Sequence, residues 1–182
     1  MLCIFQGQSG KLPNRLDIII PGSEIPKWFS HESMGHKVSI QVPSYHGWDE
    51  RMGIALCTVF VPNERHQYPR DCQLSCSFEV NGSRVESPVF SGFTEKYGKV
   101  ELHHLWLLYL SYYELSHFSF RSDWNKAWSQ IDTTGFGQLK IELSTQSLEV
   151  KKVGVRLVYE QDIEDLNRTM AQCSNNNNSL YI

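Results

Sequence analysis

Polar and apolar residues alternate along much of this chain with a period of two. Lys37 to Val42 places Val38, Ile40 and Val42 on one face and polar residues on the other. Cys72 to Val80 is the cleanest case: Cys72, Leu74, Cys76, Phe78 and Val80 share one face, and Gln73, Ser75, Ser77 and Glu79 the other. Gln138 to Leu143 and Val150 to Tyr159 repeat the pattern, through Leu139, Ile141 and Leu143 and through Val153, Val155, Leu157 and Tyr159. This is the signature of strands with one buried face. Met52 to Val61 is instead almost continuously apolar, which predicts a strand buried on both faces and stopped by Pro62. Leu102 to Leu110 fits helix or strand by periodicity; its length and neighbours favour strand. Glu114 to Phe120 predicts a further short strand, with Leu115, His117 or Phe118, and Phe120 competing for the interior.

The punctuation between these segments agrees. Asn81-Gly82 is a strong hairpin signal, because a type I′ turn needs positive φ at both central residues. Arg84 to Phe90 is then the return strand, with Val85 and Val89 facing one way and Pro88 placing it at an edge. Asp17 to Phe29, D-I-I-I-P-G-S-E-I-P-K-W-F, carries three β-branched residues that suit a strand. Pro21-Gly22 suits a type II turn, Pro26 sets a second bend, and Trp28-Phe29 forms an aromatic plug. Together they predict a lid on one end of a β core. The sum is eight or nine strands without a long helical pattern, an all-β fold: an antiparallel β-sandwich of jelly-roll/Ig-like type. Ile163, Leu166 and Met170 predict a short helix within 161–171, with Asp162, Glu164 and Asp165 in its first turn.

I-P-G-S-E-I-P-K-W-F, followed by His31-Glu32, Gly35 and Val38-Ser39-Ile40-Gln41-Val42-Pro43, resembles the C-terminal jelly-roll/Ig-like (post-LRR) domain of plant TIR-type nucleotide-binding leucine-rich-repeat disease resistance proteins. The likeness continues through Gly53 to Phe60, His104-Leu105-Trp106-Leu107 and Val153 to Tyr159, and so covers roughly residues 16 to 160. One departure is visible: where the family has a Ser-Asp-His run before the Leu-Trp segment, this chain reads Leu102-His103-His104. The resemblance implies a domain that follows leucine-rich repeats and helps an intracellular immune receptor bind a pathogen effector protein. It also implies that residues 1–15 are a lead-in from the preceding repeats, 16–160 the sandwich, and 161–182 a short helix and a polar, disordered tail.

Composition narrows the function further. At 182 residues, with 41% hydrophobic and 20% charged, the chain fits one globular domain large enough to fold without staples. Its net charge is −3 and its only adjacent basic pair is Lys151-Lys152, so no nucleic-acid footprint or anionic-membrane patch is present. Five scattered cysteines argue against a disulfide framework, and no signal peptide or membrane-length apolar run occurs. The expected location is cytoplasmic, or nuclear.

Candidate chemistry is sparse. Cys72 and Cys76 lie on one strand face beside Leu74 and Phe78, so they read as buried thiols rather than half a metal site; Cys57 reads the same way. His103 and His104 point to opposite faces of a strand and cannot chelate one ion; one should be buried and the other exposed. His31, His36, His46 and His66 have no ligand spacing. Nucleophile-elbow and phosphate-loop motifs are missing, and Gly135-Phe136-Gly137 lacks a third glycine. The expectation is therefore no enzyme, no cofactor and no metal. Aromatic and charged residues in connections stand out instead: Tyr45, Trp48, Asp49 and Arg51, then His66, Tyr68 and Arg70, then Trp124 and Trp128 are the candidate protein-binding loops. Trp48, Trp124 and Trp128 fit either a surface anchor or a plug folded onto the core; Trp106 reads as core. A carbohydrate-binding jelly-roll module is the alternative function, because loop tryptophans can stack on sugars. A cupin-type or hydrolase enzyme ranks third, for want of a spaced His/Glu set or a nucleophile.

Overall fold

A computed structural model describes residues 14–43, 52–63, 71–94, 103–118 and 136–175. Among them, nine strands form two antiparallel sheets. The strands are β1 (Arg15–Pro21), β2 (His31–Met34), β3 (Lys37–Pro43), β4 (Gly53–Pro62), β5 (Asp71–Val80), β6 (Ser83–Thr94), β7 (His104–Ser111), β8 (Phe136–Gln146) and β9 (Leu148–Val158). Sheet A runs β1-β7-β4-β9-β2 and sheet B runs β3-β8-β5-β6. The inner faces meet in one core built from the alternating positions, among them Val38, Ile40, Leu74, Phe78, Trp106, Leu139 and Ile141. Asn81 and Gly82 close the β5–β6 hairpin with φ of 47° and 82°, as a type I′ turn requires. Pro88 lies in edge strand β6, opposite the stretch where the β5–β6 register shifts between Cys76 and Phe78.

The central strands of sheet A are buried on both faces. Every residue of β7 is buried, and Gly53 to Phe60 of β4 are buried without a break. A second apolar cluster covers the outer face of sheet A: Ala55, Cys57 and Val59 of β4 and Leu105, Leu107 and Tyr109 of β7 meet Ile25, Phe29, Leu166 and Met170. The P-G-S-E-I-P-K-W-F corner therefore lies across a face of the sheet; it does not cap an end, as the sequence predicts. Gly154 makes room for it, since a Cβ there would stand 2.7 Å from Ile25 Cγ2. Gly22 does not form the expected type II turn: its φ is 159°, its N–H donates to the His103 carbonyl at 2.9 Å, and a Cβ would come within 2.9 Å of Leu105 Cδ1.

Three other expectations change. The segment predicted as a strand from Glu114 to Phe120 begins as helix α1 (Tyr112–Phe118), because Ser111 Oγ accepts the Glu114 N–H at 3.2 Å and caps it. Strand β2 is not legible as alternation, being short and largely exposed, yet it pairs with β9 at the edge of sheet A. Tyr159 lies past the end of β9 and is exposed, not inward. The tail helix is present as α2 (Ile163–Asn175), with Leu166 and Met170 buried.

Two polar clusters fix the outer parts. At one lateral seam, Asp17 of edge strand β1 accepts Trp106 Nε1–H at 2.8 Å and the Ser91 hydroxyl at 3.0 Å, and pairs with Arg15 at 2.5 Å. Arg15 also donates to the Phe90 carbonyl at 2.7 Å, so edge strands β1 and β6 of the two sheets are joined. On the outer face of sheet A, the Arg156 guanidinium lies 4.6 Å from the Trp28 ring centre. It donates to the Trp28 carbonyl and to Asp162 Oδ1, both at 2.9 Å.

Candidate functional site

The nine candidate loop residues, Tyr45, Trp48, Asp49, Arg51, His66, Tyr68, Arg70, Trp124 and Trp128, lie outside the described residues. The strands that flank their segments are described, and the flanking residues lie at two ends of the sandwich. Segment 44–51 leaves β3 at Pro43 and joins β4 at Gly53. Segment 119–135 joins β8 at Phe136, and Pro43 and Phe136 are register partners, so both segments are anchored at one end. Segment 64–70 runs from the far end of β4 to Asp71, which pairs with Thr94. Strand β4 is ten residues long, which separates the two sets of anchors by roughly 30 Å.

The end marked by Pro43 and Phe136 is held rigidly by backbone contacts. The Asn81 N–H donates to the Gln138 carbonyl at 2.9 Å, and the Gln138 N–H donates to Asn81 Oδ1 at 2.7 Å, so the hairpin turn is fixed to β8. Ser111 N–H donates to the Asn14 carbonyl and Tyr112 N–H to the Met52 carbonyl, each at 2.8 Å. These bonds bring the start of β1, the start of β4 and the start of α1 together. Three of the large apolar side chains that remain exposed belong to this end: Phe136 at 59%, Tyr113 at 51% and Tyr159 at 38%. None of the three is among the candidates read from the sequence. Phe136 is the first residue of β8, at the end of a stretch that reads as irregular in the sequence, and its outward register follows only once Leu139 and Ile141 are set facing inward. Tyr113 becomes exposed because the chain turns into α1.

Comparison with known proteins supplies the family. A model of the C-JID domain matches residues 20–164. The chain belongs to the C-JID domain family. The disease resistance protein RPS4B of Arabidopsis thaliana is 29% identical over 163 residues, covering 78% of this chain and 13% of that protein. The disease resistance protein RPS4 from the same plant is 29% identical over 100 residues, covering 50% of this chain and 8% of that protein. A disease resistance-like protein, CSA1, also of Arabidopsis thaliana, is 44% identical over 39 residues, 21% of this chain and 3% of that protein. The chain thus spans about an eighth of the length of RPS4B, as a C-JID domain of the kind found in plant disease resistance proteins.

Within this C-JID domain the described side chains offer little reactive chemistry. Cys57, Cys72 and Cys76 are buried on strands and none of them forms a disulfide. Burial pushes the Cys57 thiol far up and the Cys76 thiol up to about 12, so neither carries a nucleophilic thiolate at neutral pH. Half-buried Cys173 is raised by burial as well. His104 is buried and stacks on Phe60 at 5.9 Å, while His103 is exposed, the opposite-face arrangement that a strand imposes. Among the described residues no group of three or more His, Cys, Asp or Glu side chains could hold a metal ion. No described helix is long and apolar enough to cross a membrane. A groove of about 620 Å³ is lined by His36, Ser77, Arg84, Glu142, Ser144 and Glu149, among others. Its charges are mixed: Lys37 hydrogen-bonds Glu142 and holds that carboxyl below its ordinary range, with His36 and Arg84 adding to the effect, and Lys151 pairs with Glu149 at 2.6 Å.

Proposed function

We propose that this C-JID domain is a non-catalytic recognition module of a plant immune receptor acting in the cytoplasm or nucleus. On this reading it binds a pathogen effector protein together with adjacent leucine-rich repeats of the same receptor, and binding triggers receptor activation. Residues 1–15 serve as the lead-in from those repeats, 16–160 as the sandwich, and 161–182 as a helix with a polar tail. The supporting observation is the make-up of the Pro43–Phe136 end. The start of β1 is bonded into that end, Phe136 and Tyr113 are exposed there, and the segments carrying Tyr45, Trp48, Asp49, Arg51, Trp124 and Trp128 are anchored there. Rigid aromatic anchors beside the point where repeats would attach suit a composite protein-binding surface. His66, Tyr68 and Arg70, anchored at the opposite end, fall outside that surface.

The test is binding of candidate effector proteins by this chain alone and by the chain fused to its native repeats. Substituting Phe136→Ala or Trp48→Ala should weaken binding by about tenfold or more, the usual effect of losing one aromatic anchor, while Tyr68→Ala should leave it unchanged. Loss of binding with Tyr68→Ala and none with Phe136→Ala would move the surface to the other end. No effector bound by either form would refute direct recognition.

A further inference from the structure

The turn that closes the β5–β6 hairpin is the only Asn-Gly pair in the chain, and it is tied to a third strand, β8. Asn81 and Gly82 are both exposed, with φ of 47° and 82°. A Cβ built on Gly82 would meet no atom within 4 Å, so the space beside its backbone is open. The hydrogen bond of a type I′ turn joins its first and fourth residues, here Val80 and Ser83, and leaves the Gly82 N–H outside the ladder. That nitrogen follows Asn81 directly, and glycine has no side chain to hinder its approach to the carboxamide carbon. The carboxamide is itself polarised. Asn81 Oδ1 accepts the Gln138 N–H at 2.7 Å, and a donor on that oxygen stabilises the negative charge that develops when its carbon is attacked. Asn81 thus has a nucleophile beside it, a donor on its carbonyl oxygen, and open water into which ammonia can leave.

We propose that Asn81–Gly82 is a self-modification site, at which the asparagine is converted to aspartate and isoaspartate and the hairpin turn is thereby released from β8 beside Phe136. The Gly82 nitrogen gives its proton to solvent hydroxide and bonds to Asn81 Cγ. The bond from Cγ to Nδ2 breaks, and ammonia leaves with a proton taken from water. Water then opens the cyclic imide at either of its carbonyls. Opening at Cγ yields aspartate; opening at the main-chain carbonyl yields isoaspartate, whose main chain runs through Cβ and Cγ. One water enters, one ammonia leaves, and no oxidant or cofactor is needed. Either product adds a carboxylate, ionised at neutral pH, to a chain of net charge −3. The aspartate keeps an acceptor for Gln138. The isoaspartate carries an extra main-chain methylene, so a turn with both central residues at positive φ no longer fits, and the paired bonds between Asn81 and Gln138 are lost. Gln138 follows Phe136 by two residues, so the change falls on the surface proposed above for recognition.

The full chain without any partner tests this, so the result does not depend on the recognition reading. During incubation at pH 8, mass mapping should find the peptide spanning Asn81 about 1 Da heavier, with isoaspartate at that position, at least about tenfold ahead of Asn14, Asn63 or Asn167. In the separated isoaspartate form the Gln138 amide should exchange at least about tenfold faster, with β4 and β7 as protected as before. An Asn81→Gly variant keeps a pair that suits the turn and lacks the carboxamide, so its hairpin peptide should gain no mass. An Asn81 peptide that stays intact while other asparagines convert, the same mass gain in the Asn81→Gly peptide, or an isoaspartate form with unchanged Gln138 protection would each overturn the proposal.

Discussion

The Asp17 cluster is where one side chain holds the two sheets together along a seam, and its removal has a calculable effect. Asp17→Ala deletes the acceptor of Trp106 Nε1–H, and that indole is fully buried, so its donor is left without a partner. An unsatisfied buried donor costs about 1–3 kcal/mol. The Ser91 hydrogen bond adds about 1 kcal/mol. The Arg15 pair, with both side chains about a quarter exposed (25% and 23%), is screened by water and adds less than about 1 kcal/mol. Asp17→Ala should therefore destabilise the domain by about 2–5 kcal/mol, a large share of the 5–15 kcal/mol typical of a domain. Asp17→Asn keeps an acceptor for the indole and loses the charge, so it should cost about 1–2 kcal/mol. Urea unfolding followed by circular dichroism measures both, with the slope checked for two-state behaviour. In a Trp106→Phe background the indole donor no longer exists, and the Asp17→Ala effect should shrink by at least about 1 kcal/mol. An Asp17→Ala effect within about 0.5 kcal/mol of zero, or the same loss in both backgrounds, would refute the account of the seam.

Thr58 is fully buried and its hydroxyl has no hydrogen-bond partner among the described residues, so Thr58→Val, which keeps the shape and removes the polar atom, should stabilise the domain by about 1 kcal/mol; a lower urea midpoint would show that the hydroxyl is satisfied in solution. Gly154→Ala sets a methyl 2.7 Å from Ile25 Cγ2 and 3.3 Å from Phe29 Cβ, and should destabilise by about 1–3 kcal/mol while loosening the corner, measured as faster amide exchange around Ile25. Alkylation at pH 8 with mass mapping should modify half-buried Cys173 well before Cys57 or Cys76, whose burial keeps them protonated (Cys76 up to about 12); early labelling of Cys76 would contradict that packing.

The parts of the fold legible in the sequence are those where burial acts on single residues. Strand β5 alternates because one of its faces meets the core and the other meets water, and the chemistry of each residue records this directly. The unbroken apolar run of β4 likewise records a second covered face, although not what covers it. The cover comes from Ile25 and Phe29, about thirty residues before β4, and from α2, more than a hundred residues after it, and no local pattern encodes that meeting. For α1 a signal was present: Ser111-Tyr-Tyr-Glu114 has the spacing of an N-cap followed by an acidic third position, but the flanking apolar residues outweigh it in a strand reading. Edge strand β2 is exposed on most of its surface and leaves no alternation to read. The division of the candidate site was also legible in part. Segments 44–51 and 64–70 flank a single strand, and a strand delivers its two neighbours to opposite ends.

The proposed recognition at the Pro43–Phe136 end fits how the other surfaces of the domain are used. The central strands of sheet A, β4 and β7, have no free face, since the core lies on one side and the corner with α2 on the other. The β1–β6 seam is joined by Asp17 and Arg15, and at the opposite lateral edge the chain itself crosses between sheets, from β2 to β3 and from β8 to β9. Apart from exposed Phe90 of edge strand β6, the outer face of sheet B meets water mainly through polar residues with paired charges, Lys140 with Glu79 at 2.6 Å and Lys37 with Glu142 at 3.1 Å. Such a face is already compensated, and a partner docking there would have to break short ion pairs before gaining new ones. At the Pro43–Phe136 end the balance is reversed. Phe136 and Tyr113 expose apolar area that gains free energy on burial, and the backbone bonds of Asn81 and Ser111 hold their elements in place, so little ordering cost is added. A partner that buried these two rings would gain on the order of 3 kcal/mol before any contact from the adjoining segments.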